Sequence, residues 1–122
     1  MSLWILPENV ARYDGTGDEI PLDANRGKPL LLTLGITRIM EQESLEVSIW
    51  GSSDRNSWGK LQVFPRKFYC GTYGLLLDLT RFPDIRYIRA QWKMSRWGVE
   101  TLPLFGFYLL ADEPRMQAVG AA

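Results

Sequence analysis

Leu45-Glu46-Val47-Ser48-Ile49-Trp50-Gly51-Ser52-Ser53-Asp54-Arg55-Asn56-Ser57-Trp58-Gly59 is the stretch that decides the fold. Leu45, Val47 and Ile49 alternate with Glu46 and Ser48, the period-two pattern of a strand with one dry face and one wet face. The run stops at Gly51. Six residues rich in Ser, Asp and Asn follow, side chains that bond their own backbone in tight turns. Trp58 closes the turn, and Lys60 to Phe64 resumes the alternation with Leu61 and Val63 on one side. Strand, polar turn and strand read as a β-sandwich loop.

The same period extends in both directions. Leu30 to Ile39 is apolar on one phase (Leu30, Leu32, Leu34, Ile36), while the other phase starts apolar and turns polar, which suits a central strand. Gly35 within it marks a bulge or a close approach. Leu3 to Leu6 is a short first strand ended by Pro7, and Glu19 to Leu22 is a brief edge element carrying Pro21. Beyond Phe64, Pro65-Arg66-Lys67 breaks the chain and Phe68 to Thr72 forms another short strand. Leu75, Leu77 and Leu79 then face inward, and Arg81 to Asp84 is too short for more than one helical turn. Ile88, Ala90 and Trp92 point one way against Tyr87, Arg89, Gln91 and Lys93, and Leu104 to Leu110 is the final strand, with 111–122 a loose tail. About eight strands with no helical period predict an all-β antiparallel β-sandwich, or jelly roll, as one domain over 1–122.

Composition narrows the function. The chain has 122 residues, 46% hydrophobic and 23% charged, which fits one globular domain. No run approaches the roughly 18 apolar residues of a membrane span, so no membrane insertion is expected. Met1 to Glu8 lacks a basic region and has only a four-residue apolar run, unlike a signal peptide. Cys70, the single cysteine, excludes an intramolecular disulfide and reads as a small buried hydrophobe. Together these point to the cytoplasm or to a particle assembled there. There is no histidine, which excludes Ser-His-Asp and Cys-His sites and a His-bearing zinc site. The chain is therefore expected not to be an enzyme and to need no cofactor or metal. A carboxylate-pair hydrolase is the weaker alternative, requiring two acidic side chains about 10 Å apart or less around a cleft.

Net charge is zero, yet the halves differ: residues 1–59 hold five basic and nine acidic residues, the rest nine and five. Either strands of the two halves interleave and the asymmetry vanishes in space, or an acidic face meets the basic face of a neighbour head to tail.

The Gly51-Ser52-Ser53-Asp54 turn with Trp58 at its far end resembles the discoidin-like or galactose-binding-like β-sandwich superfamily over about residues 30–110. There a Ser-x-Asp-Gly-x-x-Trp turn lies between two core strands, and Arg86-Tyr87-Ile88-Arg89 fits the family's penultimate strand. The resemblance implies a non-catalytic module that binds sugars, lipids or protein surfaces, or an accessory domain of enzymes and phage particles. Arg55 stands where that motif has Gly, so a turn needing positive φ there must differ or be strained. The flanking cysteines of secreted members are absent.

Several residues are candidates for contact. Trp50, on the phase of Glu46 and Ser48, is a surface stacking face, whereas Trp58 either offers a second one or fills the core beneath the turn. Arg96 and Trp97 precede the last strand, a combination common at binding hot spots. Arg66 to Tyr73 mixes basic and aromatic residues, but a neutral chain makes nucleic acid an unlikely partner. Asp14 to Glu19 has the oxygen density of a calcium loop without EF-hand spacing, and a solvated turn explains it better. The reading that results is a binding module for carbohydrate or a protein surface, through loops at one end carrying Trp50, Asp54, Arg55, Asn56, Arg96 and Trp97. The alternative is a structural subunit that forms a homo-oligomer or docks into a larger particle, such as a virion component.

Overall fold

The structure, a computed structural model, describes residues 2–98 and 101–114. In chain order its strands are β1 (Leu3–Ala11), β2 (Gly15–Thr16), β3 (Ile20–Pro21), β4 (Pro29–Ile39), β5 (Glu43–Ser52), β6 (Gly59–Lys67), β7 (Gly71–Asp78), β8 (Tyr87–Arg96) and β9 (Phe105–Asp112). Two 3-10 turns, Asp23–Asn25 and Leu79–Arg81, complete the regular structure among the described residues. One sheet, sheet A, has the order β1-β9-β4-β7; sheet B has the order β2-β8-β5-β6, with β3 also on β8. Every pairing is antiparallel.

Gly15 lies opposite Trp92 and Ile20 opposite Ile88, so β2 and β3 occupy successive parts of one strand position. The Gly17 N–H, bonded to Ala90 O at 2.7 Å, bridges the interruption. Counted that way, the fold is the expected eight-strand jelly roll. The chain crosses between sheets at every connection except the β5–β6 hairpin.

The dry face follows from the alternation. Leu45, Val47 and Ile49 of β5 meet Leu30, Leu32, Leu34 and Ile36 of β4 in one core, joined by Phe105, Phe107 and Leu109 of β9. All are buried, each contributing roughly 1.5–3 kcal/mol of apolar burial. Gly51 belongs to this inward row. A Cβ there would meet Leu61 at 2.6 Å and Ile85 at 2.9 Å, so β5 runs through the glycine rather than stopping at it.

Four expectations are corrected. β1 continues through Pro7 to Ala11, because an edge strand tolerates a missing donor and absorbs it with register shifts between Trp4 and Leu6 and between Leu6 and Asn9. β6 likewise passes Pro65 to reach Lys67, and Phe64 rather than Val63 is its buried residue. Phe68 to Cys70 are not strand but the crossing from sheet B to sheet A, and Cys70 is exposed, since a crossing has no sheet to cover it. β9 extends through Asp112, into the stretch expected to trail; residues 115–122 lie outside the described ones.

The charge asymmetry also resolves. In both sheets, strands from the first and second halves of the chain alternate, so acidic and basic halves interleave. A head-to-tail contact between an acidic and a basic half loses its basis. Among the described residues, no helix is long and apolar enough to cross a membrane.

Candidate functional site

The six candidate residues do not share one end. Ser52 and Tyr87, Gly51 and Gly59 mark one end of sheet B; Glu43 and Arg96 mark the other. Nine residue-to-residue steps along β5, from Glu43 to Ser52, separate them, about 30 Å at 3.3 Å per step. Asp54, Arg55 and Asn56 lie at the first end, next to Trp50, which is on the outer face of β5 rather than in a loop. Arg96 and Trp97 lie at the second.

At the Trp58 end, a chain of local bonds builds the turn. Buried Ser52 accepts from the N–H groups of Asp54 (3.2 Å) and Arg55 (2.8 Å), and Asp54 Oδ1 accepts from those of Asn56 (2.8 Å) and Ser57 (2.9 Å). The bond from Ser57, then those from Asn56 and Ser52, hold the Asp54 carboxyl below its ordinary range. Arg55 takes φ +68°, the glycine-favouring region anticipated for that position. Its Nε donates to Glu19 Oε1 at 2.9 Å, and that bond and charge raise its affinity for the proton.

Cations cover the aromatic rings here. Arg89 lies 4.0 Å from the Trp58 ring centroid, Arg55 5.2 Å from Tyr87 and Lys60 Nζ 5.7 Å from Trp50. The last follows from register, because Lys60 and Arg89 are the cross-strand partners of Trp50 on either side. Trp58 is half-buried, donates to Arg55 O at 3.2 Å and lies outside the buried core, beneath the turn but not within the sandwich.

At the Trp97 end, polar groups hold the loops in place and aromatics are displayed. Buried Glu43 accepts from the N–H groups of Met40 (2.8 Å) and Leu104 (3.0 Å), joining the β4–β5 and β8–β9 connections. Arg96 donates to Thr101 Oγ1 (2.6 Å) and Leu102 O (2.9 Å), which makes it a clasp for its own loop. Trp97 N–H reaches Gln42 O at 3.0 Å. On this frame Trp97, 47% exposed, meets Phe68 edge-on at 6.1 Å, and Tyr69 is 76% exposed. A groove of about 380 Å³ runs between them, lined also by Ile39, Met40 and Gln42. Sequence reasoning had grouped Phe68 and Tyr69 with a basic strand; their place beside Trp97 depends on the β6–β7 crossing.

A third surface was missed. The outer face of sheet A carries Trp4 (51% exposed), Leu31 (40%) and Leu76 (50%), with Tyr108 and Leu110 between them. Its signal was present in β4, where Leu31 lies on the second phase and is apolar too. Among the described residues no group of three or more His, Cys, Asp or Glu side chains is placed to hold a metal ion.

No protein-family model matches the chain, and no curated protein matches it by sequence. Among solved structures, it is similar to the SPBc2 prophage-derived protein YomS, with 92% of each chain covered, 11% identity and a TM-score of 0.54. It is also similar to a chain in a structure of infectious bursal disease virus, Gx strain, over 95% of this chain and 33% of that one, at 8% identity and a TM-score of 0.54. At these identities the likeness is one of fold, and it places this chain's two-sheet sandwich beside a prophage-derived protein and part of a virus chain.

Proposed function

We propose that this chain is a structural subunit of a protein assembly, of the kind a phage or virus particle represents, and that it carries out no catalytic step. The observation that carries the reading is the amount of apolar side chain left in water on a rigid sandwich: Phe68, Tyr69 and Trp97 at one loop end, and Trp4, Leu31 and Leu76 on one sheet face. Large contiguous apolar patches on soluble domains mark sites where another protein docks. The fold shared with a prophage-derived protein and a virus chain agrees with this reading.

Within the reading, the partner is a protein surface rather than a sugar. A sugar ring stacks on an open aromatic face, and at the Asp54 end Lys60 and Arg89 already lie over the rings of Trp50 and Trp58. The groove at the Trp97 end, apolar with a polar rim of Glu41 and Gln42, has the make-up of a protein contact.

Light scattering during size-exclusion chromatography, at high loading and low salt, tests the proposal. Species larger than one chain are expected. A mass that stays at one chain under every loading would count against a self-assembling subunit, and firm binding to sugars on a glycan array would favour the carbohydrate reading instead.

A further inference from the structure

We infer that the outer face of sheet A is the self-association surface, and that its occupant is the same face of a second copy of this chain. The inference rests on the structural-subunit reading and names the contact that reading uses.

Most antiparallel sheets that pack one face on a core turn the other, polar face to water. Sheet B comes closer to this rule: Glu46, Arg89, Gln91 and Lys93 point outward from β5 and β8, and Trp50 on the same face has Lys60 over its ring. Sheet A does not. One cross-strand row runs Trp4, Leu110, Thr33, Gly74, and the next runs Asp112, Leu31, Leu76. Trp4 also meets the Tyr108 ring edge-on at 5.8 Å, which ties β1 to β9 within the patch. The only charge in those two rows is Asp112, at the margin.

The edges of the sheet point the same way. At one edge, β1 carries Pro7 and two register shifts, which spoil it as a template for strand addition. At the other, the Leu76 carbonyl of β7 accepts from Gln62 Nε2 at 3.1 Å. Association through sheet A therefore uses the face.

Size favours a second copy. The face carries few charges: Arg38 and Asp112 lie toward its two ends, with the apolar rows between them. Trp4, Leu31 and Leu76 stand out from the face, and Gly74, without a side chain, leaves its own position open. A two-fold contact would place this face against itself. Four strands about 4.8 Å apart and about eight residues long give a face of roughly 500 Å². Two faces stacked about 10 Å apart, as sandwich sheets stack, bury on the order of 1,000 Å², the lower limit for a specific contact.

Sedimentation equilibrium of the full chain tests this, using wild type, the L31K/L76K double variant, L76K alone, Q91K on the outer face of sheet B and W97A at the loop end. Thermal melts confirm that each variant is folded. Both exposed-leucine variants should weaken dimerisation, the double by about ten-fold or more in dissociation constant, and Q91K should not. Wild-type association in L31K/L76K, with loss in W97A, would overturn the assignment of the face and leave the structural reading intact. A wild-type chain that stays monomeric into the millimolar range would overturn both. If the double variant does not fold, L76K alone decides the question.

Discussion

The ring of Tyr108 lies directly on the backbone of Gly35: a Cβ at residue 35 would fall 2.1 Å from it. The two residues are cross-strand partners in β4 and β9, and the missing side chain lets the aromatic lie flat against the sheet, within reach of Trp4. Gly35→Ala is therefore expected to destabilise the fold by about 1–3 kcal/mol through overpacking, read as a lower urea midpoint. In a Tyr108→Ala background most of that loss should disappear. A full loss in both backgrounds would show that the ring does not cause it.

Arg55 provides a test of backbone strain. Its φ of +68° disfavours any residue with a Cβ, and its compensation is an exposed ion pair to Glu19. Exposed pairs contribute little, because water and salt screen them. Arg55→Ala loses the pair and keeps the strain, while Arg55→Gly loses the pair and relieves it. Chemical denaturation should rank the glycine variant above the alanine variant by about 1 kcal/mol; the reverse order would contradict the turn geometry.

The Asp54 carboxylate should leave a mark in acid. Its folded pKa lies below the unfolded one because backbone N–H groups of Ser57 and Asn56 bond the charged form. The stability it contributes is therefore complete above the unfolded value of about 4, and is lost as pH falls through the lower folded value. Asp54→Asn keeps an acceptor for those N–H groups but cannot titrate, so its stability profile should be flatter than wild type below about pH 4. Unfolding curves across that range check this, and parallel profiles would rule it out.

Cys70 should react with a thiol reagent in the native protein almost as fast as in urea, because the β6–β7 crossing leaves it exposed. Strong native-state protection would place it under cover and contradict the position of that crossing.

How much of this was legible in the sequence depended on whether a residue's partner was close along the chain. The alternation of Leu45, Val47 and Ile49, and of Ile88, Ala90 and Trp92, marked the strands and their dry faces correctly, because period two needs no knowledge of neighbours. The Ser52–Trp58 turn was legible for the same reason, its bonds being local. The prolines misled. Pro7 and Pro65 break an interior strand but not an edge strand, and edge position is a property of the whole sheet. Placing Arg96 and Trp97 beside Asp54 failed because only the topology shows that the β5–β6 and β8–β9 connections leave opposite ends. Arg96 looked like a free hot-spot residue until its loop carbonyl partner at Leu102 was visible. The apolar outer face of sheet A assembles residues from four strands far apart in sequence, and no window along the chain contains it.

The tryptophans offer the most direct test of where this protein makes contact. The indole N–H groups of Trp50, Trp58 and Trp92 are bonded inside the chain, to Ser48 Oγ, Arg55 O and Tyr13 O, whereas Trp4 and Trp97 are about half exposed. A nitrogen–proton correlation spectrum recorded from micromolar to millimolar protein resolves these five signals. The Trp4 signal should move with concentration, with or without Trp97, while the signals of Trp50, Trp58 and Trp92 stay in place. Five indole signals that never move, or movement confined to Trp50 and Trp58, would contradict association through the apolar surfaces.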